Sequence, residues 1–169
     1  MKKTVKWILT VMSILVMAFI FIMSAQSASK SSDESSGIGR IIGQIIFRDF
    51  KDWTSSEQIG FVAGINHSVR KLAHFIEFAV LGSVFHLTLS AWGMKPNVAL
   101  PVSFGAGAFY AATDEFHQLF VEGRSAEFTD VLLDSAGVAF GCLVVWLILT
   151  AVLRRRAKKG EAAASASGT

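Results

Sequence analysis

Long apolar runs, almost free of charge, alternate along this chain with short polar segments. The first apolar run extends from Trp7 to Met23 and would cover about 25 Å as a helix, near the lower limit for crossing a bilayer. Three later runs are long enough to cross, although each carries a few ionisable residues. The pattern therefore predicts an all-α membrane protein with four transmembrane helices, at residues of about 7–26, 72–92, 98–121 and 131–153.

The segment between the first two spans, residues 27–66, has a pattern of its own. Its serine-rich first third is typical of a flexible link. Isoleucines then recur at helical spacing over residues 38–46, which predicts an amphipathic helix lying in the outer membrane interface. A capping box that starts at Thr54 predicts a short helix there, and Asn66 or Ser68 is expected to cap the second span.

Charge sets the expected orientation of these elements. Only 17% of the residues are charged and 52% are hydrophobic, which favours a bilayer protein over a soluble one. Placing both termini in the cytoplasm puts one group of basic residues there with a single acid, Glu161, as the preference of Lys and Arg for the inner side requires. That group is Lys2, Lys3, Lys6, Lys95, Arg154, Arg155, Arg156, Lys158 and Lys159. The excess of basic residues thus reports orientation in the cell membrane, and no nucleic-acid partner is predicted.

The two ends of the chain need separate interpretation. The lysines before the first apolar run and the small residues after it also resemble a cleavable signal peptide, but the run exceeds the usual signal core of about 7–15 residues. We therefore predict a retained first span. Residues 1–161 are predicted to form one membrane domain, and residues 162–169, rich in Ala, Ser and Gly, a disordered tail.

Ionisable residues lie inside three spans, near the end expected outside the cell. Glu77, Asp114 and Asp134 lie about 9, 10 and 6 Å below the outer ends of the second, third and fourth spans. Charged groups in a bilayer are costly, so they persist where they pair or take part in function. Topology alone thus gathers one outer polar layer: His74, Glu77, Asp114, Glu115, His117, Gln118, Asp130 and Asp134.

Helical spacing suggests which of these residues act together, because neighbours three or four positions apart share a face. The residues predicted to carry catalysis are His74, Glu77, Asp114, His117 and Asp134. The residues predicted to bind a substrate are Arg70, Lys71, Gln118, Arg124, Gln26 and Asp130. Glu115 points away from Asp114 and is expected to face the head groups, while His86 near the cytoplasmic end is expected to be structural. Ser24 or Gln26 is expected to hydrogen-bond into the polar layer.

The ordered series of motifs resembles the VanZ-like family, and the resemblance covers the chain from the first span to the fourth. The motifs are SAQ at 24–26, RKLAHFIEF at 70–78, DEFHQLF at 114–120, GR at 123–124 and DVLLDSAG at 130–137. One departure is Glu122, which stands where family members often have proline. The resemblance implies a Gram-positive bacterial membrane protein, since the namesake of the family is linked to resistance to teicoplanin and related lipoglycopeptides.

Two classes of function remain open at this stage. Histidines and carboxylates near a lipid interface suit acid–base chemistry on a lipid or a lipid-linked cell-wall precursor, held through its head group by the basic residues. Alternatively, the polar layer is structural and the protein limits access of the antibiotic without catalysis. A hard-cation or zinc site is a weaker alternative, because no fixed metal-ligand spacing stands out, and no cofactor is assigned. The ligands of such a site would be His74, Glu77, Asp114, His117 and Asp134. A transporter is the weakest alternative, since four spans would have to oligomerise to enclose a path.

Overall fold

The computed structural model describes the backbone of residues 3–167 and the side chains of residues 3–161. This part of the chain forms five α-helices and one 3-10 turn and contains no strand, so the prediction of an all-α protein is confirmed. The helices are α1 (Lys3–Ser24), α2 (Ala28–Ile46), α3 (Ser55–Ala91), α4 (Pro96–Gln118) and α5 (Phe128–Ser167), and the 3-10 turn is Phe50–Asp52.

Three of the described helices are long and apolar enough to cross a membrane: α1, α3 and α5. They expose large apolar side chains along most of their length, as helices facing lipid do. The protein is therefore a multi-pass membrane protein. The helix α4 is not among the three, because polar residues such as Asn97, Thr113 and Asp114 and several small residues lower its overall hydropathy.

Helices α3 and α5 make the closest contact in the bundle, and glycines permit it. A Cβ atom at Gly141 would lie 1.9 Å from the carbonyl oxygen of Ala79, and one at Gly137 would lie 2.4 Å from that of Phe75. Neither position accepts a side chain without moving a backbone. Small residues at such contacts are typical of packed transmembrane helices, because they let the backbones approach.

The core lies where α1, α3, α4 and α5 meet. Its fully buried apolar residues are Ile20, Phe78, Leu81, Ala111, Val138 and Cys142. The hydroxyl of Tyr110 on α4 donates to the carbonyl oxygen of Met17 at 2.7 Å, which ties α1 to the bundle. Towards the other end of the core, buried His86 lies with its Nδ1 atom 3.4 Å from the hydroxyl oxygen of Ser103, in keeping with a structural role.

The serine-rich segment predicted to be a flexible link is the first half of α2, so that prediction is wrong. Its small residues Ser35 and Gly39 are buried, and Gly39 lies against α3. The amide of Asn66 on α3 donates to the carbonyl oxygen of Ser32 at 2.9 Å and to the hydroxyl of Ser36 at 2.8 Å. Contact with α3 thus supplies the stabilisation that these residues lack as an isolated helix.

Helix α3 begins well before the predicted second span and runs unbroken for about 55 Å. The capping box at its start is confirmed, since the Thr54 backbone amide donates to the Glu57 carboxylate at 2.8 Å and the Glu57 amide donates to the Thr54 hydroxyl at 3.4 Å. The expectation that Asn66 or Ser68 caps a separate helix is wrong. Both lie mid-helix, and the amide of Asn66 is taken up by α2.

Helix α5 also runs further than its predicted span, and its backbone is helical through residues 162–167, where a disordered tail is predicted. The alanines of this stretch favour helix. Gly168 and Thr169, the rest of that predicted tail, lie outside the described residues, as do Met1 and Lys2.

Candidate functional site

The carboxylate of Asp114 joins the ends of α1 and α4. Asp114 is only 3% exposed, and its Oδ2 atom accepts hydrogen bonds from the Ser24 hydroxyl at 2.7 Å and from the Gln118 amide at 3.1 Å. Ser24 is the last residue of α1, and Gln118 follows Asp114 by one turn of α4. The prediction that Ser24 or Gln26 bonds into the polar layer is therefore confirmed for Ser24.

Arg124 folds back over this carboxylate from the loop after α4. Its guanidinium donates to the Gln118 side-chain oxygen at 3.0 Å and to the backbone oxygens of Gln26 at 2.9 Å and Met23 at 3.4 Å. Gly123, just before it, has a φ of +73°, a conformation that favours glycine and turns the chain back. Arg124 thus closes over the polar layer and holds the end of α1 in place.

The charge of Arg124 is not neutralised by any carboxylate of the described residues within 4.0 Å. All its hydrogen bonds go to neutral oxygens. Burial lowers the pKa of the Arg124 guanidinium, and the nearby charge of Arg70 lowers that pKa further. Because arginine nonetheless stays protonated, a half-buried positive charge remains available to an anionic ligand.

Helices α3, α4 and α5 bring His74, Asp114 and Asp134 to one point. One nitrogen or carboxylate oxygen of each lies within 4.8 Å of the others, and among the described residues this is the group arranged to hold a metal ion. Asp134 is 1% exposed. Glu77 stands beside them with its Oε2 atom 3.9 Å from Nδ1 of His74, a distance too long for a hydrogen bond.

The other predicted catalytic residue, His117, lies to one side of this group. Its ring stacks on Phe21 of α1, with the ring centroids 4.4 Å apart. Its Nε2 atom is buried and finds no hydrogen-bond partner among the described residues. His117 therefore packs between α4 and α1 and stands apart from the three residues that converge.

Three residues predicted to bind substrate are engaged in contacts with other side chains. The Lys71 ammonium pairs with Asp130 at 2.6 Å and with Glu127 at 3.7 Å, which ties α3 to the start of α5. The Gln26 side chain, with its amide nitrogen turned to donate, lies 3.2 Å from the Glu34 carboxylate on α2. Only the backbone of Gln26 reaches the polar layer, through Arg124.

Glu115 is a residue whose placement the sequence analysis missed. The sequence predicts that it faces the head groups, but it is 4% exposed and its carboxylate accepts a hydrogen bond from the Glu127 backbone amide at 2.6 Å. A carboxylate is favourable there because Glu127 directly precedes α5, whose first turn presents free amide groups. A single sequence gives no signal for this contact, since the loop between the two residues sets it.

A cavity of about 80 Å³ adjoins the converging residues. Its lining includes three basic side chains, Arg70, Lys71 and Arg124. It also includes His74, Gln118 and the four carboxyl groups of Glu115, Glu127, Asp130 and Asp134. Because Lys71 pairs with two of those carboxylates, Arg70 and Arg124 are the basic groups of the cavity that form no ion pair within the described residues, and they could contact a small anionic group.

A comparison with protein-family models identifies the family of the chain. The model of the VanZ/LLP1 family matches residues 9–149. The chain belongs to the VanZ/LLP1 family. In this VanZ/LLP1 protein the matched region runs from α1 into α5 and includes every predicted site residue. Comparisons with curated proteins and with solved structures give no match.

Proposed function

We propose that α1, α3, α4 and α5 all cross the bacterial cell membrane, with both termini in the cytoplasm. Helix α4 is about 35 Å long, which is long enough to cross the membrane. Its Phe109 and Phe116 are exposed on the surface of the bundle, where they would face lipid. The basic residues Lys95 and Arg154–Arg156 then lie in the cytoplasm. The exposed isoleucines of α2 would rest on the outer surface of the bilayer, as an amphipathic interfacial helix does.

Within this arrangement the polar layer binds the anionic head group of a membrane lipid or a lipid-linked cell-wall precursor. The observation that carries the proposal is Arg124, whose half-buried guanidinium lines the cavity and has no carboxylate partner among residues 3–161. Arginine pairs strongly with phosphate because its planar donors match the oxygens. Arg70 adds a second positive charge on the same cavity.

An apolar groove supports a lipid as the ligand. It lies between α1 and α3, has a volume of about 360 Å³, and is lined by Met12, Leu15, Val16, Phe19, Ile20, Ile76 and Val80. Glu77 also lines it, so the groove reaches the polar layer. We assign the groove to an acyl chain of the lipid whose head group enters the cavity.

The chemistry that this site suits is proton transfer at the head group. In the metal-free site His74 would move the proton, and Glu77, Asp114 and Asp134 would orient the reacting group. In the cell, such binding or modification would support resistance to teicoplanin-type lipoglycopeptides, in keeping with the namesake of the family.

The non-enzymatic alternative also has an observation in its favour. The chain of hydrogen bonds from Ser24 through Asp114 and Gln118 to Arg124 links α1, α4 and the following loop. Such a chain holds a bundle together without any ligand. In that case the protein would limit access of the antibiotic to its target, and the polar layer would be structural.

Lipid binding tests the first proposal directly. Delipidated protein in detergent is titrated with phosphatidylglycerol and followed by native mass spectrometry. Replacing a charged donor to phosphate typically costs enough to weaken binding roughly 10-fold or more, so Arg124→Gln should weaken it by that factor. Arg48→Gln, at an exposed arginine of the segment between α2 and α3, is the matched control and should bind as the native protein does.

Cell assays then separate the two functions. The near-isosteric changes His74→Gln, Glu77→Gln, Asp114→Asn and Asp134→Asn are expressed in Gram-positive cells and teicoplanin susceptibility is measured. Membrane abundance and thermal stability are measured in parallel. If resistance falls while the protein stays folded, the site is functional. If resistance survives every change, or falls only in step with stability, the polar layer is structural.

A further inference from the structure

Three carboxylates of the polar layer carry a buried oxygen with no hydrogen-bond partner among the described residues: Glu77 Oε2, Asp114 Oδ1 and Asp134 Oδ1. The last two belong to residues that are almost wholly buried, Asp114 at 3% exposed and Asp134 at 1%. Burial of an unpaired carboxylate is strongly unfavourable, because the protein interior cannot replace its hydration. A cation beside these two oxygens would relieve that cost.

The basic side chains described nearby do not supply that cation. Lys71 pairs with Asp130 and Glu127, and Arg124 bonds to neutral oxygens. His74 lies beside the two carboxylates, yet its Nδ1 atom is also buried and has no hydrogen-bond partner within the described part of the chain. Three groups with lone pairs or negative charge thus converge on one point from three helices, within 4.8 Å of one another.

The geometry points to a metal site: we propose that His74, Asp114 and Asp134 bind one divalent transition-metal ion, with Zn²⁺ preferred over Mg²⁺ and Ca²⁺. Imidazole is a good ligand for Zn²⁺ and other divalent transition-metal ions, whereas Mg²⁺ and Ca²⁺ prefer sites made of oxygen ligands. Ligand atoms held about 2.1 Å from a tetrahedral ion lie about 3.4 Å apart, so these atoms, which lie within 4.8 Å of one another, would have to approach by up to about 1.4 Å to complete the site.

The surroundings of Asp114 support this assignment. Its second oxygen, Oδ2, accepts hydrogen bonds from Ser24 and Gln118, which fixes the carboxylate and leaves Oδ1 free. Metal ligands in proteins are typically oriented by such outer hydrogen bonds. Three protein ligands also leave one tetrahedral position open, as in zinc sites that bind a substrate or water.

The place of the ion in the cavity rests on the proposed head-group function. His74 and Asp134 line the same cavity as Arg124. The open position of the ion would therefore face the anionic group that Arg124 holds, and an oxygen of that group would complete the coordination. Metal binding itself is measured without lipid, so it can fail or hold independently of the head-group proposal.

The test uses the full chain, purified in detergent without a polyhistidine tag and stripped with a chelator. Titration with ZnCl₂ is followed by calorimetry, bound metal is counted by elemental analysis, and MgCl₂ and CaCl₂ are titrated in parallel. We expect one Zn²⁺ per chain and a rise in Tm with Zn²⁺. Both should be lost in His74→Gln and Asp134→Asn and kept in two controls at exposed positions, His67→Gln and Asp33→Asn.

A measurement on the native protein tests the proposal even if the variants do not fold. Zinc X-ray absorption should report nitrogen and oxygen ligands with an imidazole contribution and no sulfur, since the single cysteine, Cys142, is buried elsewhere in the core. Absence of Zn²⁺ binding by the native protein, a sulfur ligand, retention of Zn²⁺ by both ligand variants, or tighter binding of Mg²⁺ or Ca²⁺ would each overturn the proposal. If the protein binds Zn²⁺ but Arg124→Gln does not weaken phosphatidylglycerol binding, the metal-site proposal holds and the head-group proposal is wrong.

Discussion

Ser24 and Asp114 are 90 positions apart in the sequence and are joined by a hydrogen bond of 2.7 Å in the structure. The bond is buried and its acceptor is a carboxylate, so its removal should destabilise the folded protein. We expect Ser24→Ala to lower the free energy of unfolding by about 1–2 kcal/mol, measured by denaturation with SDS in mixed micelles. Ser29→Ala, at an exposed serine of α2, should leave it unchanged. Equal stability of the two variants would contradict the assigned bond.

The contact of α3 with α5 should not tolerate a methyl group. In Gly141→Ala the new Cβ would collide with the carbonyl oxygen of Ala79, and overpacking of this kind typically costs 1–3 kcal/mol. Thermal unfolding in detergent should therefore report a lower Tm. Gly105→Ala in α4 is the matched control, because no atom of the described residues lies within 4 Å of its Cβ position and alanine favours helix. A Tm for Gly141→Ala at or above that of the native protein would mean that the helices are not this close.

Asn66 should hold α2 against α3. Asn66→Ala removes two hydrogen bonds, to Ser32 and Ser36, so the amides of α2 should exchange hydrogen roughly 10-fold faster. Hydrogen–deuterium exchange with mass spectrometry measures this helix by helix, and exchange in α5 serves as an internal reference. Ser68→Ala, at an exposed neighbour on α3, should change nothing. Unchanged exchange in the Asn66 variant would show that apolar packing alone retains α2.

The proposed orientation can be read from chemical labelling. In a Cys142→Ala background, a single cysteine at position 29 should react with a membrane-impermeant maleimide on intact cells. One at position 95 should react only after the membrane is permeabilised. Ser29 and Lys95 are both exposed, so neither result would reflect burial. If position 95 is labelled on intact cells, the orientation is the opposite of the one proposed.

Sequence reasoning placed the polar layer well, because depth along a helix follows directly from counting residues. It did not single out His74, Asp114 and Asp134 as one group, because the rotation of each helix about its axis depends on packing. Close contact of α3 with α5 through Gly137 and Gly141 sets that rotation. The helical state of the serines in α2 was missed for a similar reason: its stabilising partner, α3, is distant in the sequence.

The unbroken course of α3 has a mechanical consequence. Its length of about 55 Å exceeds the hydrocarbon thickness of about 30 Å, so the helix either protrudes or tilts. Because α3 is one continuous helix, a tilt moves its whole length, including His74. Because bilayer thickness acts on helix tilt, we expect the spacing between His74 on α3 and Asp114 on α4 to vary with the thickness of the surrounding lipid. The thickness of the membrane would then set how closely the side chains of the site approach one another.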